Sequence, residues 1–282
     1  MEKSQWNLMD LQSDLALEER ERFLGDGGEI PGVELYEWEK QERKIRLTEV
    51  IVKDEDGAKA MGKPIGTYIT IEVSQLLEKD ELFQQSVIKE LAEQIQGLLE
   101  RHDKTDASVL VIGLGNADAT PDSLGPRVLE RVQVTRQFLL EFGHEFCEKH
   151  GYPVISGLIP GVMGKTGMET AEIIRGVVNE TKPEVLIVVD ALAARSAHRL
   201  GVTIQLSDTG IRPGSGVGNH RGSLTEADLG IPVLAIGVPT VIRTSVLIDS
   251  VKEPMFVTPH NIDEQVECLS SIISDAIYEA LF

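Results

Sequence analysis

Apolar residues recur along the chain in two rhythms, and the change between them falls near residue 108. Before it, RLTEVIVKD and GTYITIEVS alternate apolar with polar and are rich in β-branched side chains. That alternation predicts a strand pair, with MGKPIG between the strands. In EKDELFQQSVIKELAEQIQGLLER, residues Val87, Leu91, Ile95, Leu98 and Leu99 fall at helical spacing, which predicts a long amphipathic helix. Beyond residue 108, short continuous apolar runs alternate with helical ones. SVLVIGLG, YPVISGLIPGV, EVLIVVDALAA, GVTIQLSD and IPVLAIGVP read as strands. Unbroken apolar runs are what strands covered on both faces require. PRVLERVQVTRQFLLEFGHEF reads as one helix with Pro126 in its first turn. MGKTGMETAEIIRGVVNETKP holds another, stopped before Pro183, and IDEQVECLSSIISDAIYEALF closes the chain as an amphipathic helix. This order predicts an α/β fold with a doubly wound or mixed sheet flanked by helices.

Length and charge narrow the picture. A chain of 282 residues suits one large α/β domain. The net charge of −19 argues against nucleic acid or an anionic membrane as a direct partner. No apolar run approaches the roughly 20 residues a bilayer span needs, and MEKSQWNLMD lacks a signal-peptide core. The chain reads as soluble and cytoplasmic. Its two cysteines, Cys147 and Cys268, lack metal-ligand spacing, which fits a reducing compartment. Cys147 reads as part of a half-buried helix face. The first thirty residues are dense in charge and end in GDGG, so on composition they read as a solvated, fraying helix.

Two aspartates carry the chemistry. Open α/β sheets gather catalytic groups outside the carboxyl ends of their strands. Asp190 ends the run VLIVV, and Asp122 lies in the loop after VLVIGLG. Two close carboxylates cannot both ionise easily, so one keeps a proton while the other can activate water. Aspartate is also a favoured helix cap, so the residues alone leave capping and catalysis both open. Asp118, earlier in the same loop, is the weaker candidate. GLGN, at Gly113 to Asn116, is not a dinucleotide fingerprint, because Asp118 stands where the third glycine would fall. It fits tight backbone passage instead. RPGSGVGNHRG, from Arg212, and GLIPGVMGKTGMET, from Gly157, are glycine-rich loops that suit either a binding wall or a plain turn. His220 would make a third ligand if Asp122 and Asp190 held a metal.

VIGLGNADATPDSLGPRV, SGLIPGVMGKTGMETAEII, VVDALAAR, RPGSGVGN and LGIPVLAIGVPTV, in that order, resemble the germination proteases of spore-forming bacteria. The resemblance runs from about Asp14 to the C-terminus. It implies an atypical aspartic endopeptidase that degrades small acid-soluble spore proteins during germination, in the cytoplasm of the spore core. It also implies a precursor that trims its own N-terminus, a homotetramer, and no cofactor or metal. The essential carboxylates of the family lie in the TPD-x-LGP and VDALAAR blocks, which correspond to Asp122 and Asp190. The implied fold is a mixed, mostly parallel sheet flanked by helices, similar to hydrogenase-maturation endopeptidases, with an added N-terminal β/α elaboration. Those endopeptidases recognise a metal, so a metal-dependent peptidase is the alternative, and a catalytically silent scaffold is another.

The family cuts after an acidic residue in a frame like Thr-Glu-Phe/Ile-Ala-Ser-Glu. Ser13-Asp14-Leu15-Ala16-Leu17-Glu18 follows that frame, with Leu17 departing from the small polar residue. The resemblance therefore implies a cut between Asp14 and Leu15, with residues 1–14 a propeptide and 15–282 a single α/β protease domain. An exposed, extended segment is the kind that can enter a cleft. A preference for acidic residues calls for basic groups nearby, and Arg127, Lys165, Arg195, Arg212 and Arg221 are the candidates.

Overall fold

The structure, a computed structural model, describes residues 13–22, 30–40, 45–73, 76, 80–212, 222–243 and 255–282. In chain order the elements are α1 (Ala16–Glu21), β1 (Val33–Lys40), β2 (Ile45–Val52), α2 (Glu55–Met61), β3 (Gly66–Glu72) and α3 (Glu81–Arg101). There follow β4 (Val109–Gly113), α4 (Leu124–Leu129), α5 (Arg136–Phe142), α6 (His144–His150), β5 (Ile155–Leu158), α7 (Met163–Thr166) and α8 (Thr170–Thr181). The last are β6 (Val185–Ala194), β7 (Thr203–Ser207), α9 (Glu226–Leu229), β8 (Val233–Arg243), β9 (Phe256–Val257) and α10 (Ile262–Leu281).

All these strands join one mixed sheet in the order β1-β2-β3-β7-β8-β6-β4-β5, with β9 attached to β8. The parallel pairs are β4 with β5, β4 with β6, and β6 with β8. The pairs toward β1 are antiparallel. The α/β class read from the sequence is the one observed.

The continuous apolar runs divide by the period of the pleat. Val109, Val111, Val185, Ile187 and Val189 face one core with α3, α4 and α10. Leu110, Ile112, Leu186 and Val188 face the other, with Ala171, Ile174 and Val178 of α8. Burial on both faces is why no polar alternation shows in these strands. Val87, Leu91, Ile95, Leu98 and Leu99 of α3 are all buried against the sheet. Asp80 begins this helix by accepting the Leu82 and Phe83 N–H groups at 3.1 and 3.2 Å.

The structure departs from the sequence reading in four places. The single helix expected after Pro126 is three, α4, α5 and α6. Thr135 is drawn to the edge strand β5: its N–H donates to the Ile155 carbonyl, and its hydroxyl accepts the Ile155 N–H, both at 2.9 Å. Gly143, at φ +81°, separates α5 from α6. Between β2 and β3 lies α2, capped by Asp54 on the Gly57 N–H, a helix left unassigned by the sequence reading. VELYEWEK, unassigned from sequence, is β1. The last correction is to the solvated N-terminal helix, within residues 13–22 alone, because Leu15 to Arg20 are buried; residues 1–12 and 23–29 lie outside the described residues. Leu15 packs with Leu192, Ala194, Leu200 and Ile242. Cys147 is buried on α6, and both cysteines are free thiols.

Candidate active site

Three glycines bring the two aspartates together. The N–H of Leu114, just past β4, donates to the Val189 carbonyl of β6 at 2.9 Å. A Cβ on Gly113 would come closer than 3.0 Å to the Gly125 carbonyl, and one on Gly125 would strike Leu114 and the Val189 carbonyl. The end of β4, the start of α4 and β6 thus touch backbone to backbone. Gly115, at φ +119°, lets the chain turn beneath the Asp122 carbonyl, where a Cβ would collide.

Asp122 closes a 3-10 turn, Thr120–Asp122. Its backbone carbonyl and its Oδ2 accept the Asn116 N–H at 3.0 and 2.9 Å. The N-cap of α4 is Ser123, and no side chain caps that helix end. Asp190 sits in β6, opposite Gly237 of β8. It is 6% exposed, and its Oδ1 accepts the Ala191 N–H at 2.9 Å. The strand spans nearly all of EVLIVVDALAA, as read from the sequence, so Asp190 ends its first apolar run and not the strand itself. Pairing with the long strand β8 carries β6 on to Ala194, with a register shift between Leu192 and Ala193. Asp190 is therefore a mid-strand carboxylate, and no helix follows it to be capped.

Asp122 and Asp190 line one cavity of about 430 Å³. Ser13 and Asp14 line it too. Asp14 lies against the distal half of β6: its N–H donates to the Ala193 carbonyl at 3.2 Å, and its Oδ2 accepts the Ala193 N–H at 2.9 Å. The Asp14 carbonyl accepts from Lys63 Nζ at 2.8 Å and from Gln205 Nε2 at 3.2 Å. Lys63 also donates to the Ser13 carbonyl at 3.0 Å. Further on, the Glu18 carboxylate accepts the N–H groups of Arg195 and Ser196 at 2.7 and 3.0 Å, and the Ser13 hydroxyl. Composition counted the charges of this segment but could not show the partners that let them be buried.

Of the basic candidates, Arg212 lines the cavity. Arg195 is committed to Glu18, donating to its carbonyl, and lies 3.8 Å from Glu19. Neither Arg195 nor the next two candidates line the cavity. Arg127 pairs with Glu267 at 3.1 Å, and Lys165 pairs with Asp118. Surface carboxylates near in space hold both cations away from the cavity. Arg221 and His220 lie outside the described residues. Sequence reasoning missed Lys63. It follows α2 in a loop of the N-terminal elaboration, and no motif marks it.

Lys63 has an unusual setting. Part of its side chain reaches solvent, but protein atoms crowd its ammonium. Burial pushes its pKa below the ordinary 10.5, against the opposing pull of the Asp14, Glu19 and Glu18 carboxylates. In the window between the lowered value and 10.5, the unfolded chain holds a proton that the folded chain has released. Stability then rises with pH across that window. The penalty of desolvating the ammonium is present below it and relieved above. Denaturant midpoints of the uncut chain should therefore improve relative to Lys63→Met as pH climbs toward 10.5. A flat or falling difference would contradict this environment.

Comparison with known proteins bears on what such a site does. The germination protease family model matches residues 12–252. The germination protease of Caldanaerobacter subterraneus subsp. tengcongensis is 50% identical over 239 residues, covering 83% of this chain and 70% of that one. That of Clostridium tetani is 46% identical over 235 residues, covering 83% and 71%. That of Bacillus pumilus is 46% identical over 254 residues, covering 86% and 67%. Among solved structures, a [NiFe] hydrogenase maturation protease HycI from Thermococcus kodakarensis KOD1 matches with a TM-score of 0.34. It is 19% identical, and the match covers 61% of this chain and 92% of that one. The relatives define the class, a peptidase. The chain belongs to the germination protease family.

Proposed function

We propose that this chain is a self-processing endopeptidase of the aspartic type, with Asp122 and Asp190 as its acid/base pair. One observation carries the reading: Ser13 and Asp14, on the acidic side of the proposed cut, line the same cavity as those two carboxylates. The ionised carboxylate takes a proton from water as its oxygen adds to the Asp14 carbonyl carbon. The protonated one passes a proton to the departing Leu15 nitrogen, so the products are a free carboxyl and a free amine. Binding of the Asp14 carboxylate by the Ala193 N–H accounts for cutting after an acidic residue. Residues 1–14 are then a propeptide and 15–282 the protease domain. In trans, the substrates would be small acid-soluble spore proteins in the germinating spore core, and the working assembly a homotetramer.

The test is the intact mass of purified chain held at mildly acidic pH, beside Asp190→Asn. A carboxylate pair sharing one proton works best there. Loss of residues 1–14 from the wild type alone is the expected result. Loss from both would point to a contaminating protease, although burial of Leu15 shields that bond from outside attack. Retention by both would favour a silent scaffold.

A further inference from the structure

During hydrolysis of the Asp14–Leu15 bond, negative charge collects on the Asp14 carbonyl oxygen. Two side chains already donate to it, Lys63 Nζ at 2.8 Å and Gln205 Nε2 at 3.2 Å. The orientation of Gln205 is set from its other end, where Oε1 accepts the Ala16 N–H at 2.6 Å. With its oxygen turned to Ala16, its amide NH2 must face Asp14. Both donors are thus held before any reaction begins. They come from opposite parts of the fold, the loop after α2 and the strand β7.

Resting on the self-processing reading above, we propose that Lys63 and Gln205 are the carbonyl-polarising pair of the self-cleavage reaction. As the water oxygen bonds to the carbonyl carbon, the carbonyl π pair moves onto oxygen, where these two donors stabilise it. The pair returns when the carbon–nitrogen bond breaks and the Leu15 nitrogen takes its proton. Preorganised donors aimed at developing charge lower the barrier because they need no reorganisation. Anchoring a peptide carbonyl would need only a neutral donor. A crowded ammonium is a costly anchor but an effective partner for an oxyanion. The Asp14, Glu18 and Glu19 carboxylates around Lys63 help to keep it charged.

The experiment follows first-order loss of residues 1–14 by intact mass in full-length wild type, Lys63→Met, Gln205→Glu and Asp190→Asn. Amide hydrogen exchange at Leu15 and Ala16 is measured in parallel. Gln205→Glu keeps the acceptor for Ala16 but replaces the donor to Asp14. Lys63→Met is expected to slow cleavage about 100-fold, and Gln205→Glu about tenfold, with protection at Leu15 and Ala16 unchanged. Wild-type rates in both variants would overturn the proposal. So would a slowing that tracks lost protection, because the residues would then only anchor the segment. If Lys63→Met fails to fold, Gln205→Glu decides: slowed cleavage with full protection supports the pair, and wild-type cleavage overturns it. A wild-type chain that never cuts, or an Asp190→Asn chain that does, overturns the self-processing reading itself.

Discussion

Asp122→Asn is expected to leave the purified chain at its full-length mass, slowing self-cleavage by about 10³-fold. The amide keeps an oxygen for the Asn116 N–H, which now meets Oδ2 at 2.9 Å, so the turn after β4 should stand. The thermal midpoint should stay near that of Asp190→Asn, a second chain that remains uncut. On the proposed mechanism, what disappears is one of two groups that divide the proton transfers, one from water and one to the Leu15 nitrogen. Losses within such a unit do not multiply. The double variant Asp122→Asn/Asp190→Asn should therefore be no slower than the slower single variant, within about threefold. A time course of intact mass gives all three rates. Multiplicative losses would separate the two carboxylates into independent roles, and unimpaired cleavage by Asp122→Asn would remove it from the chemistry.

Gly125→Ala carries the largest expected effect on stability, a loss of about 4 kcal/mol or more. The three atoms nearest the added methyl are backbone, at Leu114 and at the Val189 carbonyl, so moving a side chain cannot relieve these clashes. Relief requires α4 to move away from β4 and β6. That motion would also draw Asp122 away from Asp190, so cleavage should fall with stability. Gly176→Ala is the control. It lies exposed within α8, with open space where its Cβ would go, and should gain about 0.5–1 kcal/mol. Denaturant midpoints in the Asp190→Asn background check both. Near-wild-type stability in Gly125→Ala would show that this junction has more room than its backbone contacts allow.

Much of this architecture is legible in the chain. The phase of α3 is written in five apolar positions, and all five are buried. The strands beyond residue 108 are readable because burial on both faces leaves unbroken apolar runs. The strand-end rule drew attention to Asp122 and Asp190, which line the same cavity, although β6 runs on past Asp190. Helices α4 to α6 were run together because local propensity cannot show Thr135 being claimed by the edge of β5. The N-terminal segment is illegible for the same kind of reason. Its acidic residues look like solvent-facing charge until Arg195, Ser196 and Arg199 are seen beside them.

Sequence by itself determined the elements with a hydrophobic rhythm of their own, the α/β class and, through long matching blocks, the family. Only the tertiary structure decided that Asp14 lies against β6 and that Lys63 and Gln205 meet at its carbonyl. Those partners stand 49 and 191 residues from Asp14. The physical reason is one of range. Periodicity records how a residue faces its own helix or strand. Which side chains meet across the sheet depends on strand order and on where loops return, and no local pattern encodes either.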